Sequence, residues 1–121
     1  MSRHNDLGKM GEEKAVQYLI SKGYTILERN YRFGRSEVDI IASFKGIIVF
    51  AEVKTRTNYA FGYPEDSVSR SKQKLLIKAA GNYVCDKEIG KEVRFDIVSV
   101  FKSSDEQWTL KHFEDAFFIY D

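Results

Sequence analysis

Between Ser36 and Arg56 the chain reads SEVDIIASFKGIIVFAEVKTR, its most apolar stretch, yet Glu37, Asp39, Glu52 and Lys54 lie inside it. Read with a period of two, the stretch is a strand over Glu37 to Ser43, a tight turn at Lys45-Gly46 and a second strand over Ile47 to Lys54, hence a hairpin. Alternation puts Glu37, Asp39 and Ile41 on one face of the first strand, and Ile48, Phe50, Glu52 and Lys54 on one face of the second. Burying a carboxylate is costly unless it is paired or holds a metal. A salt-bridged strand end would account for each charge singly. The hairpin, however, can bring Asp39 and Glu52 side by side, where two carboxylates repel unless a cation lies between them. Hard oxygen donors of that kind suit Mg²⁺ or Mn²⁺. Lys54, two positions beyond Glu52, falls on the same side and completes a metal-plus-cation site.

The flanking segments supply a scaffold. Asp6 to Lys22 reads as a helix, with Asp6 as N-cap and Gly23 as its stop. Ala15, Val16 and Leu19 form its apolar stripe, with Glu12 near the middle of that stripe and Glu13 on its flank. An early Glu can simply favour the helix dipole, but the inward phase of Glu12 favours a role in the site. Tyr24 to Arg32 reads as a strand joined by a turn at Phe33-Gly34-Arg35 to the hairpin, giving a three-strand antiparallel meander. Arg29, Arg32 and Arg35 interleave with Tyr31 and Phe33, which suits phosphate contact and base stacking, or equally a solvated strand with snorkelling arginines.

Thr55 to Ser67 lacks periodicity and holds Gly62 and the single proline, Pro64, so a loop beside the hairpin is expected. Ser67 or Ser69 can cap a helix running to about Val84, with Leu75, Leu76, Ala79, Ala80 and Tyr83 as its buried side. Arg70, Lys74 and Lys78 recur every four residues on one face, where like charges disfavour an isolated helix by about 0.2–0.5 kcal/mol per pair. A phosphate backbone would relieve that repulsion, and plain solvation also accommodates it. After a polar connection over Asp86 to Glu92, Val93 to Phe101 alternates as a fourth strand. The intervening helix makes it a parallel partner of Ile47 to Lys54 through a right-handed crossover. Ser103 to Glu106 is a polar turn, Trp108 to Phe113 an added edge strand, and Ala116-Phe117-Phe118-Ile119 an apolar tail that packs on the sheet. The core order α-β-β-β-α-β predicts an α/β sandwich, a mixed central sheet with helices on its faces.

Composition narrows the function. With 121 residues, 43% of them hydrophobic, and Gly and Pro at only nine positions, residues 1–121 are expected to fold as a single domain. A net charge of +1 excludes a uniformly basic nucleic-acid binder, so any such surface must be a local patch. The longest apolar run, Ile47 to Val53, is interrupted by Glu52 and far shorter than the roughly 20 residues of a membrane helix. MSRHNDLGKMGEE contains no apolar signal core. Cys85 is the sole cysteine and cannot form an internal disulfide, and the distant His4 and His112 make no zinc pattern. Cytoplasmic residence without membrane contact is therefore expected.

Asp39, twelve residues and then Glu52-Val53-Lys54 form an arrangement that resembles the PD-(D/E)XK nuclease superfamily. The phrases GEEKAVQYLISKGY, RNYRFGRSEVDIIA, VFAEVKTR, FGYPEDSV, KQKLLIKAA and RFDIVSV resemble, in register along nearly the whole chain, the YraN-like family of uncharacterised bacterial proteins. The resemblance implies a restriction-endonuclease-like core in which Asp39 and Glu52 hold Mg²⁺ or Mn²⁺, with the Val53 carbonyl as a further ligand. Lys54 would orient or help deprotonate the attacking water and stabilise charge on the phosphate. Glu12 would complete the metal shell, directly or through water, making Glu12, Asp39, Glu52 and Lys54 the catalytic set. Lys72 and Gln73 match polar positions of the family's second helix and would lie near substrate. Ser36 stands where the family usually has Gly before the Glu matched by Glu37.

The activity implied is hydrolysis of phosphodiester bonds in DNA, on branched or damaged structures as in the small Holliday junction resolvases. Contacts to the nucleic acid are expected from Arg32, Arg35, Arg56, Arg70, Lys72, Gln73, Lys74 and Lys78, and a homodimer is compatible with this reading. One alternative is a non-catalytic nucleic-acid-binding module that recruits a repair or processing partner. Another is a protein-interaction domain whose carboxylates are merely salt-bridged to Lys54, Arg56 and Arg35. The joint presence of Asp39, Glu52 and Lys54 favours the nuclease.

Overall fold

A computed structural model of the protein describes residues 3–57, 68–87 and 92–117. Helix α1 (Arg3–Ser21) is followed by β1 (Thr25–Phe33), β2 (Ser36–Phe44), β3 (Ile47–Arg56), α2 (Arg70–Asp86), β4 (Glu92–Lys102) and β5 (Trp108–Phe117). The strands form one five-stranded sheet in the order β1-β2-β3-β4-β5. All neighbours are antiparallel except β3 and β4, which run parallel, as a strand pair separated by a crossover helix must. The architecture is the α/β sandwich expected, compatible with a restriction-endonuclease-like core.

Local chemistry sets the turns. Gly23, at φ 96°, ends α1, with its N–H on the Ile20 carbonyl at 3.0 Å and the Tyr24 N–H reaching back to Leu19 at 3.0 Å, a Schellman closure. Lys45 and Gly46, at φ 47° and 81°, make the two-residue hairpin turn whose twist matches its strands. The start of α1 differs from expectation: the helix begins at Arg3, so Asp6 is not its N-cap but lies in its first turn, where a carboxylate still complements the dipole. Ser69 does cap α2, accepting the Lys72 N–H at 3.1 Å, whereas Ser67 lies outside the described residues, as does most of the expected loop.

Each helix covers one face of the sheet. Ala15, Val16 and Leu19 of α1 pack with Ile40, Ala42, Val49, Ala51, Val98 and Val100. Leu76, Ala79, Ala80 and Tyr83 of α2 pack with Val38, Ile41, Ile48, Phe50, Phe95 and Ile97. Leu75, expected on that buried side, is 42% exposed. At 100° per residue it lies about 90° from the centre of the stripe formed by the other four, beyond the reach of the sheet. Val38 and Ile41 both join the α2-side core although a strict two-residue period separates their faces, so alternation fails around Asp39.

Strand β5 runs four residues past the expected Phe113, because a bulge carries it on. The register slips between Phe95 and Ile97, and Asp115 turns to φ 56°. There the fully buried Asp96 carboxylate accepts the Asp115 N–H at 3.0 Å, together with Arg94 Nε at 2.9 Å, Arg94 Nη2 at 2.8 Å and His112 Nε2 at 2.7 Å. The bulge brings Phe117 beside Phe95, ring centroids 5.0 Å apart, so Ala116 and Phe117 of the expected tail extend the sheet as the end of β5 instead of packing over it. Phe118 and Ile119 lie outside the described residues.

Burial opposes the charge on Asp96, but the bonds from His112, Arg94 and Asp115 outweigh it and hold the carboxyl below its ordinary value. An acid depressed in the fold contributes stability that is complete above its unfolded pKa, about 3.9, and is lost as pH falls through the lower folded value. Asp96→Asn should therefore cost about 2–3 kcal/mol at neutral pH, because Arg94 loses its buried partner and keeps the Tyr24 hydroxyl and the exposed Glu114 carboxylate. Urea melts should show this gap narrowing as pH falls below about 4. A gap of constant width across that range would mean the charge of Asp96 is not what the network uses.

Candidate active site

The β2/β3 ladder starts beside the turn, at Phe44 opposite Ile47, and ends at Ile40 opposite Ala51. Beyond that point β2 continues with β1 alone, to Ser36 opposite Phe33, while β3 continues with β4 alone, to Arg56 opposite Phe101. The two strands part at the next pair in register, Asp39 and Glu52. Asp39 Oδ2 accepts the Val53 N–H at 2.8 Å, substituting for the backbone carbonyl that the ladder no longer supplies.

Glu52 leans toward α2 and is 5% exposed. Its Oε1 receives Lys72 Nζ at 2.6 Å and has Lys54 Nζ at 4.0 Å. Its other oxygen, Oε2, is buried and has no hydrogen-bond partner among the described residues. Burial, reinforced by the neighbouring charge of Glu52, pushes Asp39 up to about 7 against the opposing pull of the Val53 N–H and Lys72. Burial also lowers the pKa of Lys54, and the adjacent Lys72 ammonium adds to that. For Lys72 burial works the same way, but its bond to Glu52 prevails and its pKa rises.

Glu12 faces the same region from α1. An open cleft of about 360 Å³ is bounded by Leu7, Gly8, Lys9, Glu12, Asp39, Val53 and Thr55. The helix approaches so closely that a Cβ on the buried Gly11 would overlap the Thr55 side chain. Burial and the charge of Asp39 raise the pKa of Glu12, while Arg29 and Asn30 pull it down. Arg29 Nη2 lies 3.5 Å and Asn30 Nδ2 3.1 Å from Glu12 Oε1. Among the described residues no three His, Cys, Asp or Glu side chains stand close enough to be a ready-made ligand set. Asp39 and Glu52 are thus brought together, and Glu12 shares a cleft with Asp39.

The remaining residues named from sequence divide. Arg70, Lys74 and Lys78 are exposed along α2, and Lys72 turns inward to Glu52. Gln73 Nε2 donates to the Val68 carbonyl at 3.0 Å, which fixes the entry to the helix. Arg32 bridges Glu37 at 3.0 Å, Arg35 is exposed at the β1/β2 turn, and Arg56 is half-buried at the end of β3. Arg29 bridges Glu12 and Glu13, and Tyr31 is taken up by the core, edge-on to Tyr83 and hydrogen-bonded by Asn82 at 2.7 Å, while Phe33 remains 36% exposed. Sequence reasoning passed over Asn30 and the Asp96 network. Asp96 carries the same signal as Asp39, an acid within an apolar strand.

Fold and site together define an α/β protein with a restriction-endonuclease-like arrangement, in which two acids and two lysines meet where the central strands diverge. The family model for the uncharacterised protein family UPF0102 matches residues 11–100, and the chain belongs to that family, the YraN-like proteins. It is 48% identical to the UPF0102 protein FP2501 of Flavobacterium psychrophilum over 98% of both chains. It is 47% identical to the UPF0102 protein of Christiangramia forsetii, over 99% of this chain and 100% of that one. A relative from Persephonella marina is 44% identical over 91% of each chain. Among the described residues no helix is long and apolar enough to cross a membrane.

The raised pKa of Asp39 sets a sign. An acid whose pKa is higher in the fold than in the unfolded chain costs nothing below the unfolded value, and destabilises increasingly as pH rises toward the folded one. Asp39→Asn in chelator should therefore be more stable than the parent at pH 8 by about 1 kcal/mol or more, with the advantage shrinking toward pH 4. Thermal melts at the two pH values check this. A variant less stable at pH 8 would show that the bond to Val53 outweighs the repulsion.

Proposed function

We propose that this chain is a divalent-metal-dependent phosphodiesterase acting on DNA, with branched or damaged structures as its substrates. The observation that carries this reading is Glu52 Oε2, a buried carboxylate oxygen without a protein partner among the described residues, beside an Asp39 whose ionisation is opposed by the same crowding. A buried carboxylate oxygen left unpaired is costly, and a Mg²⁺ or Mn²⁺ ion is the hard cation such donors accept. Asp39, Glu52 and the Val53 carbonyl would hold the ion, with Glu12 as a further or water-mediated ligand. The ion would supply Lewis-acid stabilisation of the phosphate and lower the pKa of its water.

Lys54 has the chemistry for the remaining step. Its lowered pKa brings it nearer to accepting a proton from an attacking water, and as a cation it would stabilise charge on the phosphate. Exposed Arg70, Lys74 and Lys78 would follow the phosphate backbone, and Arg35 and Phe33, exposed at the β1/β2 turn, would add further contacts. The close Lys72–Glu52 pair favours a second reading, in which the site is a structural ion pair inside a nucleic-acid-binding module without catalysis. That pair leaves one Glu52 oxygen unused, which is why the metal reading stands first.

A cleavage screen with Mg²⁺ or Mn²⁺ across single-stranded, duplex, flapped and four-way-junction DNA tests the proposal. Activity should vanish in chelator, in Asp39→Asn and in Glu52→Gln. Lys54→Ala should lower turnover by about 10²–10⁴-fold while leaving metal affinity unchanged or slightly tighter. Cleavage that persists in chelator would defeat the metal mechanism. Replacing Arg70, Lys74 and Lys78 together by Ala should weaken DNA binding evenly across sequences and flatten its salt slope by about one unit for each phosphate no longer neutralised. An unchanged slope would assign those residues to solvation.

A further inference from the structure

Asp39 has two cross-strand neighbours, and they are unlike. On the β3 side stands Glu52. On the β1 side the ladder pairs Arg29 with Ile40 and Tyr31 with Val38, so the residue opposite Asp39 is Asn30, which is itself absent from the pairing. Asn30 leaves the ladder because its backbone is left-handed, at φ 54°, a conformation that asparagine tolerates better than most side chains and glycine better still. Its carboxamide lies on the α1 face, where Nδ2 donates to Glu12 Oε1 at 3.1 Å.

Asn30 is exposed, so its amide bond competes with water and adds little stability. The left-handed backbone at a non-glycine residue is a cost, of the kind that concentrates where function demands it. Arg29 also reaches this oxygen, at 3.5 Å, but it is shared with Glu13 at 3.1 Å and its charge offsets that of Glu12. A neutral amide holds a carboxylate in place and leaves its full charge available to a cation.

The geometry points to Asn30 as a positioning residue that aims Glu12 across the cleft at the ion held by Asp39 and Glu52, an inference that rests on the metal-site reading above. Asn30 touches neither ion nor substrate and acts through Glu12.

Asn30→Gly and Asn30→Ala separate the amide from the backbone. Both remove the amide, but glycine relaxes the left-handed residue whereas alanine strains it. In chelator the melting temperature should hold or rise for Asn30→Gly and fall for Asn30→Ala. Calorimetric titration with Mn²⁺ should nevertheless show both variants weakened alike, by about ten- to a hundredfold, the usual effect of losing a group that orients a ligand. In a Glu12→Gln background Asn30→Gly should bring no further loss, because the residue it positions has already been neutralised. Affinity that follows melting temperature, falling for Ala and not for Gly, would overturn the inference, as would an equal loss in the Glu12→Gln background. Parent-like affinity in both variants would overturn it alone, whereas a parent protein that binds no Mn²⁺ would remove the metal-site reading and this inference with it.

Discussion

One hydrogen bond, from the Val53 N–H to Asp39 Oδ2 at 2.8 Å, closes the point at which the central strands separate. An antiparallel pair that ends inside a sheet leaves backbone groups without partners, and an unpaired buried N–H is costly. Here a side chain takes over from the ladder. Because a carboxyl group does so, a titratable acid is fixed at the fork, one position from the last backbone pair. Each strand then follows its outer neighbour, β2 with β1 and β3 with the parallel β4, and both faces of the fork become accessible to the helices. From one side α2 contributes Lys72, and from the other α1 contributes Glu12. The composition of the site follows from where the ladder stops.

The charges gathered there are held in partial balance. Lys72 is committed to one Glu52 oxygen, and Lys54, 4.0 Å from the same oxygen, is pushed toward neutrality by burial and by Lys72 itself. Asp39 receives one backbone donor and is crowded by Glu52. A purely structural cluster would be expected to reach mutual satisfaction, since partly satisfied buried networks are unstable relative to apolar packing. This one leaves an acid reluctant to ionise beside a lysine reluctant to hold its proton, the opposed perturbation by which functional sites are often recognised.

How much of this was legible in the sequence varied with the range of the interaction. The hairpin was readable because Lys45-Gly46 and the alternation on either side are local signals, and the parallel pairing because a helix separates the two strands. Asp39 and Glu52 stood out as charges in an apolar stretch. What escaped notice depends on the backbone leaving its regular path. The extension of β5 turns on a left-handed Asp115 and a carboxylate on another strand, so a period of two stops at Phe113. Asn30 is a polar residue in an exposed strand, and nothing local marks it as a partner of Glu12 on a helix eighteen residues earlier. Leu75 illustrates the opposite error, an apolar residue counted as core because its neighbours were, when its helical phase already placed it at the margin.

Two buried carboxylates in this one sheet differ in how far the protein satisfies them. Asp96 and Glu52 lie on adjacent strands, both almost wholly buried. Burial alone would assign them the same role. Asp96, however, receives four donors distributed over both oxygens, and its pKa falls despite its burial. Its hydrogen-bonding capacity toward the protein is met, and what it does is hold a bulge and the strand beyond it. Glu52 receives ammonium groups on one oxygen and nothing among the described residues on the other. The deciding quantity is therefore the lone pairs that remain. The protein satisfies the acid that anchors the bulge on both oxygens, whereas among the described residues it satisfies the acid at the fork on one, and that difference rather than burial sets the two apart.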